Sequence, residues 1–183
     1  MNHAALTLLE RIARDGQIDG EIIKVDRFLN HMVDPQLVDL LAADIASRFL
    51  NRKIDKILTA ETSGIILAQP VAGMLGVPYV FAKKKRPLTM VDYYAADSFS
   101  FTKQESTRFY VAKGVLNIGE RVLFVDDFFA KGATLKAMEE IVAQAEAQLV
   151  GTAVIINKSA RRDIESILTL EDLQAATRDT QLD

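Results

Sequence analysis

Two adjacent carboxylates, Asp126 and Asp127, follow directly on Val122-Leu123-Phe124-Val125 and precede Phe128-Phe129-Ala130-Lys131-Gly132-Ala133-Thr134. The apolar run, rich in β-branched and aromatic types, reads as a short strand buried on both faces. After the turn, Leu135, Met138, Val142 and Ala145 mark the apolar face of a helix. Strand ends that feed helix starts in an open parallel sheet are where ligands bind. Backbone N–H groups at such a helix start hold phosphate through hydrogen bonds and the helix dipole. Carboxylates repel phosphate, so Asp126 and Asp127 need something else to hold. Sugar hydroxyls, or a magnesium-bound sugar, are the natural candidates.

Two further polar clusters sit at strand ends. Ile54 to Thr59 reads as a buried strand and Glu61-Thr62-Ser63-Gly64 follows it, before an apolar helical segment from Ile65 to Leu75. Gly76-Val77-Pro78 ends that helix, Tyr79-Val80-Phe81-Ala82 is the next strand, and Lys83-Lys84-Lys85-Arg86 comes immediately afterwards. A basic run is as often a solvated loop as an anion site. Its place at a strand end favours the second reading.

The elements that must position these clusters alternate in type. Ala5, Leu8, Leu9 and Ile12 form one helical stripe, and its mixed polar face points to core packing. Gly16 and Gly20 bracket a break, and Ile22 to Val25 is a short strand running into an irregular segment up to His31. Asp34-Pro35 is a helix start, with aspartate as cap and proline where a missing N–H costs nothing. From Thr89 to Thr107 no clear period emerges, which suits a mobile excursion or a hairpin. Arg108 to Val111 and Val150 to Ile156 read as strands, Lys158 lies just beyond the second, and the tail from Asp163 is short. Strands alternating with helices predict an α/β fold with a central, mostly parallel sheet flanked by helices.

Composition sets the outer bounds. The 183 residues suit one domain, and a formal net charge of -3 gives no general pull toward nucleic acid or anionic membrane. Cysteine is absent, which excludes disulfides and thiolate chemistry, and His3 and His31 are too few for a histidine-rich metal centre. No apolar run reaches membrane-spanning length, and Glu10, Arg11 and Arg14 break any signal-peptide layout, so a cytoplasmic protein is expected.

Taken together, the strand ends describe a ligand. Thr134 and the backbone of Ala130 to Ala133 suit a phosphate monoester, Asp126 and Asp127 suit two neighbouring hydroxyls, and the Glu61 and Lys83 clusters suit a polyphosphate. A sugar phosphate carrying a pyrophosphate fits. Paired aspartates at a strand end also occur as phosphoacceptors, as phosphatase nucleophiles and as solvated caps. A phosphoacceptor domain would leave the Glu61 to Gly64 and Lys83 to Arg86 clusters unexplained.

The combination Asp-Asp, two apolar residues, Ala-Lys-Gly-Ala-Thr and a helix resembles the phosphoribosyl-pyrophosphate (PRPP) motif of the type I phosphoribosyltransferases. The resemblance extends over most of the chain to the bacterial xanthine phosphoribosyltransferases, through Lys24-Val25-Asp26 with Phe28-Leu29-Asn30-His31, Glu61-Thr62-Ser63-Gly64, Phe81-Ala82-Lys83, Ser100-Phe101-Thr102-Lys103-Gln104 and Asn157-Lys158-Ser159. It implies that Ala130, Lys131, Gly132, Ala133 and Thr134 cradle the ribose 5-phosphate of PRPP. Asp126 and Asp127 would bind the ribose hydroxyls and carry the catalysis. Glu61, Thr62, Ser63 and Gly64, with Lys83 and Lys84, would receive pyrophosphate, and Ile23, Asn30 and Lys158 would contact xanthine. It further implies a Mg2+ ion held mainly by PRPP and water, with no protein metal site, a lid within residues 83 to 104, a homodimer, and a small hood from about residues 16–33 and 158–175 on a single domain.

The chemistry of Lys158 agrees. An ammonium group only donates, so it suits a 6-oxo group and opposes the 6-amino group of adenine. Asn30 donates or accepts, and does not separate xanthine from guanine. Two departures stand out. About a dozen residues of the family pattern are missing after Lys158, where Ala160 offers no ring to stack on a purine. Lys131 stands where asparagine or threonine is common, at a place where backbone amides bind the phosphate. A guanine/hypoxanthine or adenine enzyme therefore stays open as an alternative. So does a non-catalytic PRPP sensor, although the first helix leads straight into the purine-type segment with no basic DNA-binding extension.

Overall fold

In a computed structural model, residues 1–19, 22–100 and 105–179 are described. Gly20, the Phe101 to Gln104 part of the family-like segment and the last residues of the tail lie outside them.

Helix α1 (His3–Asp15) buries Ala4, Ala5, Leu8 and Ile12. Strands β1 (Gln17–Asp19) and β2 (Ile22–Lys24) form an antiparallel ribbon. The irregular segment that follows is a π-helical turn, Asp26–Asn30, which buries Phe28 and Leu29. Helix α2 (Pro35–Phe49) starts as its sequence dictates: Asp34 accepts from the N–H groups of Gln36 and Leu37, and Pro35 opens the first turn.

Next come β3 (Lys56–Ala60), α3 (Gly64–Leu75) and β4 (Tyr79–Ala82), with Gly76 left-handed at the end of α3. The aperiodic segment is a long antiparallel hairpin, β5 (Tyr93–Ser100) with β6 (Glu105–Ala112). Strand β7 (Arg121–Phe129) carries both aspartates inside it, so the strand is longer than its apolar run. Helix α4 (Ala133–Gln144), β8 (Gln148–Asn157), β9 (Glu165–Thr169) and α5 (Leu170–Asp179) complete the chain.

Five strands make one sheet in the order β4-β3-β7-β8-β9, and every pairing is parallel. The sheet is covered on both faces, which is why its strands are almost continuously apolar. Alternation along each strand divides the core. Ile57, Leu123, Val125, Ala153 and Ile155 pack with α1, α2 and α3. Leu58, Val122, Phe124 and Val154 pack with α4 and the hairpin.

The short tail folds into a strand and a helix, and residues 165–169 of the expected hood are the edge strand of the central sheet. Parallel neighbours ordinarily need a crossover of about a dozen residues. Here residues 158–164 suffice because Asn157 organises a tight return: its amide donates to the Arg161 carbonyl at 2.8 Å and its carbonyl accepts from Ser159 N–H at 2.9 Å.

Candidate active site

The parallel topology brings the carboxyl ends of β3, β4 and β7 to one edge of the sheet. There a cavity of about 430 Å³ is lined by Glu61, Thr62, Ser63, Lys84, Asp126, Asp127 and Thr134, with Ala60, Ser98, Thr107, Phe109 and Phe128. Residues more than sixty positions apart in the chain thus share one wall.

The acidic pair is held by its own backbone. Asp127 N–H donates to Asp126 Oδ1 at 3.0 Å, and Phe128 N–H to Asp127 Oδ1 at 2.9 Å. Burial pushes the Asp126 carboxyl well above the usual carboxylate range, and the adjacent Asp127 charge adds to the effect. Holding a carboxylate at such a place costs stability, so a ligand that meets it with hydroxyls or positive charge recovers the difference.

The Glu61 turn is tied to the neighbouring strand end. Glu61 N–H donates to the Ala82 carbonyl at 3.0 Å, and its carboxylate accepts the Lys84 N–H at 2.8 Å. That bond occupies a negative group that would otherwise oppose an incoming anion. Ser63, ahead of α3, has helical dihedrals and makes no capping bond. Gly132, ahead of α4, is left-handed with φ 79°, a conformation that suits glycine. Its Cα faces the Phe129 ring, 3.0 Å from where a side-chain carbon would stand.

A phosphoribosyl transferase domain model matches residues 24–179. The chain belongs to the phosphoribosyl transferase family. Its curated relatives include the xanthine phosphoribosyltransferase of Geobacillus thermodenitrificans, 45% identical over 83% of this chain and 79% of the relative. That of Heliobacterium modesticaldum is 44% identical over 85% of this chain and 83% of the relative. Among solved structures, the Giardia lamblia APRTase complexed with 9-deazaadenine superposes with a TM-score of 0.73 at 21% identity, covering 88% of this chain and 97% of that one. The adenine phosphoribosyltransferase of Rhodothermus marinus gives 0.71 at 22%, covering 90% and 99%. At such identities the superpositions establish the type I phosphoribosyltransferase fold alone.

Within this family member the remaining residues expected at the site are distributed unevenly. Ala130, Lys131 and Gly132 form the turn between β7 and α4 and Ala133 opens the helix, beside the cavity rather than on its wall. Gly64 lies behind it, against Asp126 Oδ1. Lys83 pairs with Tyr110 by two backbone hydrogen bonds of 2.9 Å, and its ammonium lies over the Phe81 ring, so Lys84 is the lysine on the cavity wall. Lys158 donates its N–H to the Phe129 carbonyl at 2.7 Å, and its ammonium lies 4.7 Å from the centre of the Phe128 ring. Phe128 therefore links Lys158 to the acidic pair. Lys158 also lines a separate cavity of about 220 Å³ with Ser159 to Arg162. Ile23 is buried in the ribbon, and Asn30 ends the π-helical turn with a buried, unpartnered Oδ1.

Ser98, Thr107 and Phe109 are wall residues that the sequence pattern hid. Ser98 and Thr107 are cross-strand partners, and the Lys83–Tyr110 bonds hold the hairpin at the end of β4. The signal was there as alternation: Ala96 and Ser98 are buried while Asp97 and Phe99 are exposed. On β5 the inward residues Ala96 and Ser98 are small or polar, so no apolar periodicity marks that strand.

Proposed function

We propose that this protein transfers the phosphoribosyl group of PRPP to xanthine, releasing pyrophosphate and xanthosine 5'-monophosphate. The observation that carries the reading is one cavity in which Asp126, Asp127, Thr134, the Glu61 turn and Lys84 meet, in a chain of this family. The preference for xanthine draws on the curated relatives named for it, and on Lys158, whose donors match a 6-oxo group.

In this mechanism the Ala130 to Thr134 turn holds the 5-phosphate with its backbone amides and the Thr134 hydroxyl. Asp126 and Asp127 accept the ribose hydroxyls. Loss of pyrophosphate builds positive charge on the ribose, as in glycoside cleavage, and the two carboxylates oppose it electrostatically. Glu61 to Gly64, Lys83 and Lys84 receive the pyrophosphate. Ile23, Asn30 and Lys158 orient the purine, whose nitrogen attacks the anomeric carbon.

Two carboxylates suit a Mg2+ ion that keeps most of its water and takes its other ligands from a phosphate substrate, while the Lys84 ammonium would face the phosphate rather than the metal. Among the described residues no group of three or more His, Cys, Asp or Glu side chains is gathered for a metal. Bound through PRPP and water, Mg2+ would neutralise charge on the departing pyrophosphate. A cover within residues 83 to 104, from the basic segment through β5, keeps water out. The ribbon and the loop after Lys158 act as a hood on a single domain, and the working unit is a cytoplasmic homodimer.

Mixing the protein with PRPP, Mg2+ and each of xanthine, guanine, hypoxanthine and adenine, and measuring pyrophosphate release, tests the reading. Fastest release with xanthine is expected. No release with any base overturns the activity, and fastest release with adenine overturns the role of Lys158.

A further inference from the structure

Thr59 is the residue before the last of β3, and it is fully buried. Its hydroxyl oxygen has no hydrogen-bond partner. A buried hydroxyl without a partner is costly, and valine has nearly the same shape. A fold that needed only a packed strand end would be more stable with valine there.

What lies next to the hydroxyl gives it a purpose. Gly64, the first residue of α3, has no room for a side chain because two oxygens occupy the space. A carbon added there would stand 2.2 Å from Thr59 Oγ1 and 2.6 Å from Asp126 Oδ1. The two oxygens therefore approach one point from different strands, and only glycine lets them do so. Asp126 Oδ1 already accepts the Asp127 N–H at 3.0 Å, and a carboxylate oxygen has a second acceptor site. Thr59 is not on the cavity wall, so it acts through Asp126 rather than on a substrate.

We propose that Thr59 is a positioning residue for Asp126, its hydroxyl donating to Asp126 Oδ1 when PRPP engages the carboxylates. Gly64 keeps the gap between the two oxygens open. The inference rests on the PRPP reading of the cavity. Burial works against the Asp126 charge, and a second donor beside the Asp127 N–H would offset that penalty.

The test compares wild type, Thr59→Val and Thr59→Ser for melting temperature and for steady-state kinetics with PRPP, Mg2+ and xanthine. Thr59→Val should melt at or above the wild-type temperature, because an unpaired hydroxyl has gone. Its kcat/KM for PRPP should fall about tenfold or more, with KM for xanthine unchanged, and Thr59→Ser should recover most of the loss. If Thr59→Val folds poorly, Thr59→Ala takes its place under the same criteria. Two results overturn the inference while wild-type turnover stands: undiminished kcat/KM for PRPP in the variant without a hydroxyl, or equal loss in Thr59→Ser, which would make the methyl the important group. Absence of turnover in the wild type overturns the PRPP reading itself, and the inference with it.

Discussion

Helices α1 and α2 begin differently from α3 and α4. At α1 the Asn2 side chain accepts the Ala5 N–H at 3.0 Å, and at α2 the Asp34 carboxylate accepts the N–H groups of Gln36 and Leu37 at 3.1 and 3.3 Å. Both capping residues are extended, as such caps ordinarily are. Ahead of α3 and α4 stand Ser63, with helical dihedrals, and left-handed Gly132, and neither supplies a cap. The first pair of helices serves the core. The second pair opens at the cavity edge, where a side-chain oxygen would compete with the proposed substrate's phosphates for the same donors.

The same contrast appears between aspartates. The Leu37 N–H donated to Asp34, with the Arg11 guanidinium beside it, holds that carboxyl below the usual carboxylate range. Burial drives Asp126 the opposite way. The fold favours the charge of one carboxylate and opposes the charge of the other.

Four experiments bear on this contrast. The largest effect belongs to Asp127→Asn, which should lower turnover with PRPP and xanthine about a hundredfold while the melting temperature stays near that of the wild type. Full activity would make the pair ordinary strand-end caps. Gly132→Ala comes next. Its left-handed backbone opposes a side chain by about 1–2 kcal/mol, and the added carbon meets the Phe129 ring. KM for PRPP should rise about tenfold, and an unchanged value would remove the turn from the phosphate site.

Asn2→Ala, by contrast, should cost about 1 kcal/mol of stability in denaturant titration and leave turnover untouched. A loss of turnover without loss of stability would erase the distinction between the two kinds of helix start.

The smallest effect is one of pH. Asp126 binds its proton at higher pH when folded than when unfolded, so its contribution to stability is full in acid and is lost as pH rises through the raised value. Asp126→Asn should therefore melt higher than wild type at neutral pH, with the gap closing in acid. Asp34 has the opposite sign: its contribution is present above the ordinary carboxylate range and is lost as pH falls through the lowered value. Asp34→Ala should lower the melting point at neutral pH, with less effect in acid. Parallel pH profiles for the two variants would contradict the contrast.

Much of this was legible in the chain. The Asp34-Pro35 start, the helical stripes of α1 and α4 and the strand–turn–helix form of both cavity-edge units follow from local spacing and cap chemistry. Less legible were β9 and α5. The short return after Asn157 depends on side-chain bonds to Ser159 and Arg161, which no periodicity announces. In β5 the inward residues, Ala96 and Ser98, lack the apolar bulk that marks a strand.

By itself the sequence marked out the residue types suited to the proposed chemistry: the acidic pair, the glycine turn with Thr134, the Glu61 turn and the lysines after β4. Each is a short-range pattern whose meaning survives without its surroundings. Only the tertiary structure decided which of them share a wall, that Lys84 rather than Lys83 reaches it, and that Lys158 joins Asp127 by way of Phe128. It also set Thr59 behind Asp126 with only a glycine between them. Those relations depend on strand register and on the packing of one helix start against the next strand. Neither is encoded in any one stretch of chain.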